Sequence, residues 1–551
     1  MSTQQGLPIG VQTFEEIRRN ELRYIDKTKY IAQLLPYGFK SIFLSRPHRF
    51  GKSLFLSTLR AYFEGKKELF AGLALEQAEL ELAQQQKREA WEKRPVLYFD
   101  LNAKNYNYLE ALSDRLSLQL GRSETEFGIP RQHETPDDRF IHLITSLYRK
   151  KNQQVVILIG EYDKPLLETI TDEEVHNANR SLLKAFYEVL KQCDPYIRFA
   201  FLTGVTKFSK TSLFSGVNNL VDITLDDKYA AICGFTEQEL SDCFAPEIAR
   251  LANAKKTTVE KTRARLKKEY DGYCFSRRGE KVYNPFSLLN VLLKEEYDYY
   301  WFESGTPSFV VNYLVRNAYE VPKIEKGIEV DIDDIQSFRY GDRNTVSLLF
   351  QSGYLTIKKY VPKMDTFILG FPNQEVRYSF LKSLVPIYSH IEDSAVGESV
   401  RGIYRALLEG DLRKVMGVVE TVLAGIPYGN LPRGEEGQPL REYYYQSVLY
   451  VIFFLVGMHV QIEEVVATGR IDMVIRTSKR IYIFEFKVMT AGSAQEAIAQ
   501  IKAQGYADKF RKGKRPIHLV GVSFDEKRRN IGEWEEEIFT HDVRLPFPVG
   551  V

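Results

Sequence analysis

Two groupings of residue types in this 551-residue chain suit phosphate chemistry: Gly51-Lys52-Ser53, and, much later, Asp472 with Glu485 and Lys487. In the first, a glycine turn after a strand lets successive backbone N–H groups and a helix N-terminus point into one concavity that favours bound phosphate. The Lys52 ammonium can then reach terminal phosphates, and the Ser53 hydroxyl can take a place on magnesium. The full pattern is G-x-x-x-x-G-K-[ST], and Arg46 stands at its first glycine.

A loop of this kind needs an acid on a neighbouring strand to help hold magnesium, and a second acid to polarise water. After the apolar run VVILI the first of these places is taken by Gly160, and Glu161 follows as the candidate water-polarising base. Asp163 is a displaced metal-side candidate, since on extended backbone it shares a face with Glu161. The plainer alternative is that both acids cap the helix before Pro165. In the second grouping, Asp472 and Glu485 can hold one or two magnesium ions while Lys487 orients water or offsets charge on a scissile phosphodiester. E-x-K alone is expected about twice by chance; an Asp on a paired strand gives it meaning. Otherwise these are surface charges on a ribbon.

The elements that must position these residues are legible from periodicity. Ile42 to Leu44 reads as a short buried strand, with helical spacing resuming after Ser53. Val96 to Leu101, Val155 to Ile159 and Ile197 to Thr203 read as further strands, separated by helices over Asp137 to Tyr148 and Ser181 to Cys193. Strands alternating with helices imply a parallel α/β sheet with the phosphate loop at its carboxyl edge. Ala71 to Arg94 reads as a solvated helix ending at Pro95.

From Thr236, a candidate helix cap, the pattern becomes mainly helical, with a strongly basic but amphipathic run from Lys255 to Tyr270 and several aromatic-rich segments. A small strand-bearing region starts near Gln351. Gly425 to Gln438 is the densest Gly and Pro cluster and a candidate boundary. Val448 to Val456 reads as a buried helix, too short to span a bilayer. Ile471 to Ile475 and Ile481 to Phe486 read as a hairpin around the turn Arg476 to Arg480. The expected domains are 1–235, 236–395 and 396–551.

Lys and Arg number 75 against 73 Asp and Glu, a net +2, so no global field steers a polyanion and nucleic-acid contact must be local. Four cysteines lie far apart without a C-x-x-C pair, which argues against a zinc site or a disulfide framework and fits a reducing cytoplasm. The N-terminal stretch lacks the apolar core of a signal peptide.

RPHRFGKSLFLSTLRAYFEGKKELFAGL, LIGEYDKPLL, TGVTKFSKTSLFSGVNNL, GFTEQEL, YDGYCFS and VYNPFSLLN, in this order, resemble the AAA-ATPase-like family of bacterial and archaeal proteins, whose members commonly carry a C-terminal PD-(D/E)XK nuclease-like domain. The resemblance implies an α/β P-loop NTPase with a parallel sheet, a mainly helical middle and a C-terminal restriction-endonuclease-like α/β domain. It implies that Arg49, Gly51, Lys52 and Ser53 contact ATP and magnesium, that Glu161 sits at the Walker B end, and that Thr203 or Thr206 senses the γ-phosphate. In that pattern Asp precedes the Glu; Gly160 departs from it, which limits the expectation to nucleotide binding.

For the nuclease-like domain the resemblance adds Glu442 as a further metal ligand, with Glu463 and Glu464 as rivals. It also adds Gln500, Lys502 and Tyr506 on the helix after the hairpin. Gln500 and Tyr506, with Lys512 in the basic run KFRKGKR, are the expected nucleic-acid contacts; the alternative for that run is a solvated turn. The resulting expectation is a cytoplasmic ATP-binding protein coupled to a magnesium-dependent nuclease, with DNA the first substrate, no membrane and room for a homo-oligomer. The rival is a non-catalytic nucleotide-dependent switch or scaffold.

Overall fold

The structure, a computed structural model, describes residues 5–35, 39–102, 105–208, 213–214, 219–301, 321–336, 345–389, 393–424, 442–456, 459–466, 469–510, 513, 515–525, 527–528 and 530–539. Within these, the side chains of 321–323, 385–389, 393–397, 399, 442–448, 459–466 and 469–471 are not described. The chain forms two compact units, Met1–Val310 with Gly327–Arg377, and Val311–Lys326 with Tyr378–Val551.

In the first unit five strands, β1 (Ser41–Ser45), β2 (Val96–Asp100), β3 (Val155–Gly160), β4 (Ile197–Gly204) and β5 (Leu220–Asp222), form one sheet in the order β2-β3-β4-β1-β5, all pairings parallel. Every residue of β3 is buried, as its unbroken apolar run requires of a strand covered on both faces. On one face Phe201 and Phe199 meet Phe55 and Phe63 of the helix Lys52–Phe63, at centroid distances of 5.7 and 5.2 Å. On the other, Phe99 packs on Phe140 and Phe186 at 5.1 and 5.4 Å, from the helices Pro136–Lys151 and Glu173–Gln192. With β4 lying between β1 and β3, the phosphate-loop strand and the acid-bearing strand deliver their ends on either side of Thr203.

The expected solvated helix over Ala71 to Arg94 is shorter and less solvated: it runs Ala74–Gln85 and buries Glu79. Lys87 and Trp91 adopt positive φ, turning the chain back. Arg88 then forks onto the Glu79 carboxylate, which also accepts from the Tyr62 hydroxyl and the Trp91 N–H. A buried carboxylate is tolerable only when its oxygens are occupied in this way.

Thr236 caps the helix Glu237–Cys243 with a reciprocal bond from Glu239, as its sequence suggests. The short ribbon β6 (Tyr273–Cys274) and β7 (Lys281–Val282) follows, and a three-stranded antiparallel sheet of β8 (Ile328–Asp331), β9 (Thr356–Val361) and β10 (Thr366–Gly370) completes the unit. Up to Arg377, apart from Val311–Lys326, the middle region thus belongs to the same compact unit as the phosphate loop. Lys27 and Arg23 of the opening segment bind Glu239 and Glu247 at 2.6 and 2.7 Å.

The second unit holds β11 (His459–Val466), β12 (Gly469–Arg476), β13 (Ile481–Val488), β14 (Ile517–Asp525) and β15 (Asn530–Phe539), paired in sequence order. Only β13 and β14 run parallel, and the helix Ala494–Ala503 makes the crossover between them. The apolar run around Val448 lies in the helix Glu442–Leu455, buried from Leu449 to Phe453. Among the described residues no helix is long and apolar enough to cross a membrane. The candidate boundary Gly425 to Gln438 lies outside the described residues.

Candidate functional site

Gly51 adopts φ 93°, a left-handed conformation that glycine enters freely, and caps the helix Lys52–Phe63. Arg49 also has positive φ, with its guanidinium 4.7 Å from the Phe286 ring. These residues line a cleft of about 430 Å³ together with Lys52, Ser53, Glu161, Asn102 and an apolar wall that includes Ile9 and Phe244. The Lys52 ammonium donates to the Pro47 carbonyl at 3.1 Å and lies 3.3 Å from Glu161 Oε1. Burial alone would raise the Glu161 carboxyl, but the charge of Lys52, then that of His48, outweighs it and holds the group below its ordinary range. Burial pushes the His48 imidazole down to about 4.

Arg46 explains why the loop can dispense with its first glycine. The guanidinium turns away from the cleft into the protein and donates to the carbonyls of Ser45, Thr224 and Tyr229 at 2.9, 2.8 and 3.0 Å. It also stacks 4.3 Å over Phe275. The rest of the loop is braced from the middle region: Trp301 Nε1 donates to the His48 carbonyl at 3.0 Å, and a Cβ on Gly353 would lie 2.7 Å from Pro47 Cβ.

Glu161 and Asp163 do not share a face as extended backbone would have them do. Glu161 takes φ 51°, and Asp163 already stands at the start of the helix Lys164–Glu168. Asp163 is buried and accepts from the backbone N–H groups of Val205 and Thr206. Its place as a displaced metal-side acid is therefore corrected to a clasp on the end of β4. A Cβ at Gly204 would lie 2.2 Å from Asp163 Oδ1, so the clasp requires glycine there. Thr203 is 1% exposed, and its hydroxyl, like that of Thr206, has no hydrogen-bond partner among the described residues. Gly160 closes β3, and a Cβ there would lie 3.2 Å from Leu56 of the loop helix. A side chain at 160 would thus face the helix that carries Ser53.

In the second unit the β12/β13 ladder is paired from Arg476/Ile481 to Met473/Phe484. One residue further the strands part, and the Asp472 carboxylate replaces a strand carbonyl by accepting from the Phe486 N–H at 2.8 Å. Glu485 and Lys487 share a face, as their spacing of two requires. Glu485 pairs with Gly521 on β14, where a Cβ would lie 2.0 Å from the Ala494 carbonyl. The bare glycine lets the helix Ala494–Ala503 settle directly on the sheet and brings Gln500 onto the acid. Gln500 Nε2 donates to Glu485 Oε1, while its Oε1 accepts from Lys487 Nζ at 2.5 Å; Lys487 lies 3.8 Å from Glu485 Oε1.

The structure therefore brings Glu485, Lys487 and Gln500 together beside Asp472, at the place where β12 parts from β13. Tyr506 is not among them: it is 3% exposed in the apolar cluster of Val474, Ile483, Ile501 and Leu519, so its ring packs in the core instead of facing a nucleic acid. Lys502 pairs with Glu537 on β15. Glu442 opens its helix, but its side chain, like those of Glu463 and Glu464, is not described, and Lys512 lies outside the described residues.

Residues 8–214 match the family described as predicted AAA-ATPase, and residues 440–534 match the PD-(D/E)XK nuclease superfamily. An uncharacterized protein in the vnfD 5′ region of Azotobacter chroococcum mcd 1 is 37% identical over 535 residues, covering 96% of this chain and 98% of that one. The chain belongs to the predicted AAA-ATPase family, with a nucleotide-binding AAA-like domain followed by a domain of the nuclease superfamily. The solved Aeropyrum pernix ORC2 protein (ADPNP-ADP complexes) aligns over 65% of this chain and 94% of its own, at 10% identity and a TM-score of 0.24, an overlap too loose to carry inference.

Proposed function

We propose that the first unit binds ATP with magnesium and that the second hydrolyses nucleic-acid phosphodiesters with a divalent metal, the nucleotide state gating cleavage. The observation that carries the reading is the meeting of Glu485 and Lys487 on Gln500, beside Asp472, where β12 parts from β13. Asp472 and Glu485 would hold the metal, and Glu442 is retained as a further ligand. A divalent ion supplies Lewis-acid polarisation of the phosphate when bound. Lys487 offsets charge on the phosphate or orients water, and Gln500 fixes both the acid and the lysine.

In the cleft, the loop N–H groups and Lys52 receive the phosphates, with Gly51 and Arg49 shaping the rim and Ser53 turned to magnesium. Lys52 leaves Glu161 to do so, which frees Glu161 to polarise water. The buried Thr203 hydroxyl, without a hydrogen-bond partner among the described residues, fits a γ-phosphate oxygen, since an unmade bond of this kind is costly.

Cleavage of plasmid and single-stranded DNA with and without magnesium, by wild type and Lys487→Ala, tests the nuclease half. Equal behaviour of the two proteins would remove it. Gly160 favours the rival reading, a nucleotide-dependent switch without turnover: ATP binding with no phosphate release, restored by Gly160→Asp, would support that rival.

A further inference from the structure

Asp100 ends β2 directly opposite Gly160, the end of β3. Between β3 and β4 the register places Leu158 opposite Phe201 and Ile159 opposite Leu202, so Thr203 falls beside Gly160 on the next rung. Residues on one rung of a parallel sheet point to the same face. That face is the one covered by the helix Lys52–Phe63. Phe201 packs on Phe55, Tyr98 lies 5.4 Å from the Arg60 guanidinium, and a Cβ at Gly160 would meet Leu56 at 3.2 Å. Asp100, the bare Gly160 and the Thr203 hydroxyl thus stand side by side on three neighbouring strands, beneath the helix whose first turn presents Ser53 to the cleft.

We propose that Asp100 supplies, from one strand away, the metal-side carboxylate that position 160 lacks, and faces the divalent ion of bound nucleotide through water. The proposal rests on the reading of this cleft as a magnesium-nucleotide site. The other two acids at this end have other work: Asp163 clasps the amides of Val205 and Thr206, and Glu161, paired with Lys52 until phosphate draws the lysine away, is then the water-polarising group. Asp100 is half-buried, and its Oδ1 accepts from the N–H of Asn102 at 2.8 Å. Asn102 itself lines the cleft beside Lys52, Ser53 and Glu161. Neighbouring strands are about 4.8 Å apart, a displacement that a bridging water spans.

The test is the affinity of the full chain for a fluorescent ATP analogue, in EDTA and in magnesium, for wild type, Asp100→Asn and Asp100→Asn/Gly160→Asp. Asparagine keeps the acceptor for the Asn102 N–H, and the Asp100 carbonyl held by Arg115 and Gln119 is untouched, so the turn is retained. Asp100→Asn should bind as wild type does in EDTA but lose roughly 10- to 100-fold of the magnesium-dependent tightening. The double variant should regain it, and Mn²⁺ EPR of the nucleotide complex should show the same loss and recovery.

Wild-type tightening in Asp100→Asn overturns the proposal, as does an equal weakening in EDTA, which would make Asp100 structural. If Asp100→Asn melts early, Asp100→Glu, which keeps the charge, must retain the tightening or the proposal fails. A wild-type chain that binds no nucleotide in either buffer defeats the underlying reading instead.

Discussion

Lys52 Nζ lies 3.3 Å from Glu161 Oε1, with both side chains largely withdrawn from water. Phosphate entering the loop must compete with that carboxylate for the ammonium. Lys52→Met should abolish binding of a fluorescent ATP analogue and lower the first thermal transition. Orphaning one partner of a buried pair costs about 3–5 kcal/mol, reduced here because Glu161 can take up a proton. Glu161→Gln should do the opposite for affinity and bind at least as tightly as wild type. A Gln variant that binds more weakly would show that the pair does not compete with phosphate.

Restoring the consensus glycine should break the loop. Arg46→Gly would strand the Ser45, Thr224 and Tyr229 carbonyls and open a hole over Phe275. A destabilisation of about 3 kcal/mol or more is expected from lost bonds to a charged donor plus the cavity. Differential scanning calorimetry checks it; an unchanged melting profile would mean that other groups satisfy those carbonyls.

Stability of the first unit should depend on pH through Glu375. Its buried carboxyl accepts from the Ser287 hydroxyl and the Trp301 N–H, and burial raises it from 4.5 to about 8. The folded state therefore binds more protons than the unfolded state between those values, so stability is greatest at the acid end of that window and falls as pH rises through it, levelling above about 8. Glu375→Gln should flatten the profile. Melting temperatures of both proteins across pH 5 to about 8.5 decide the matter, and parallel curves would sink the assignment.

Gln500 should act on turnover more than on substrate affinity. Because it holds Glu485 and Lys487 at once, Gln500→Ala is expected to lower kcat roughly 10- to 100-fold with KM little changed. A rise in KM at constant kcat would make it a nucleic-acid contact instead. Lys487→Ala should remove cleavage altogether.

What was legible in the chain was local. The strand, turn and helix of Ser41 to Phe63, the buried run of β3 and the β12/β13 hairpin all follow from periods of two and 3.6. Asp472, Glu485 and Lys487 could be grouped because a hairpin ties their spacing to their geometry. Arg46 could not be understood that way, since its acceptors Thr224 and Tyr229 are 178 and 183 residues distant. The divergence of Glu161 and Asp163 hangs on one positive φ that no strand rule anticipates. Tyr506 is polar enough for a site, yet the turn that ends the helix Ala494–Ala503, closed by its N–H on the Ile501 carbonyl, folds it into the core. The meeting of Asp100 with Gly160 needed the strand order itself.

The phosphate loop is held from three sides before any ligand arrives: Arg46 on distant carbonyls, Trp301 on the His48 carbonyl and Gly353 against Pro47. Nucleotide entry then has little backbone freedom left to remove, and the ordering entropy that a floppy loop would forfeit on binding has already been met by folding. Association should accordingly be fast and carry a small conformational entropy term. Its temperature dependence would report the apolar wall of the cleft and not the making of the loop.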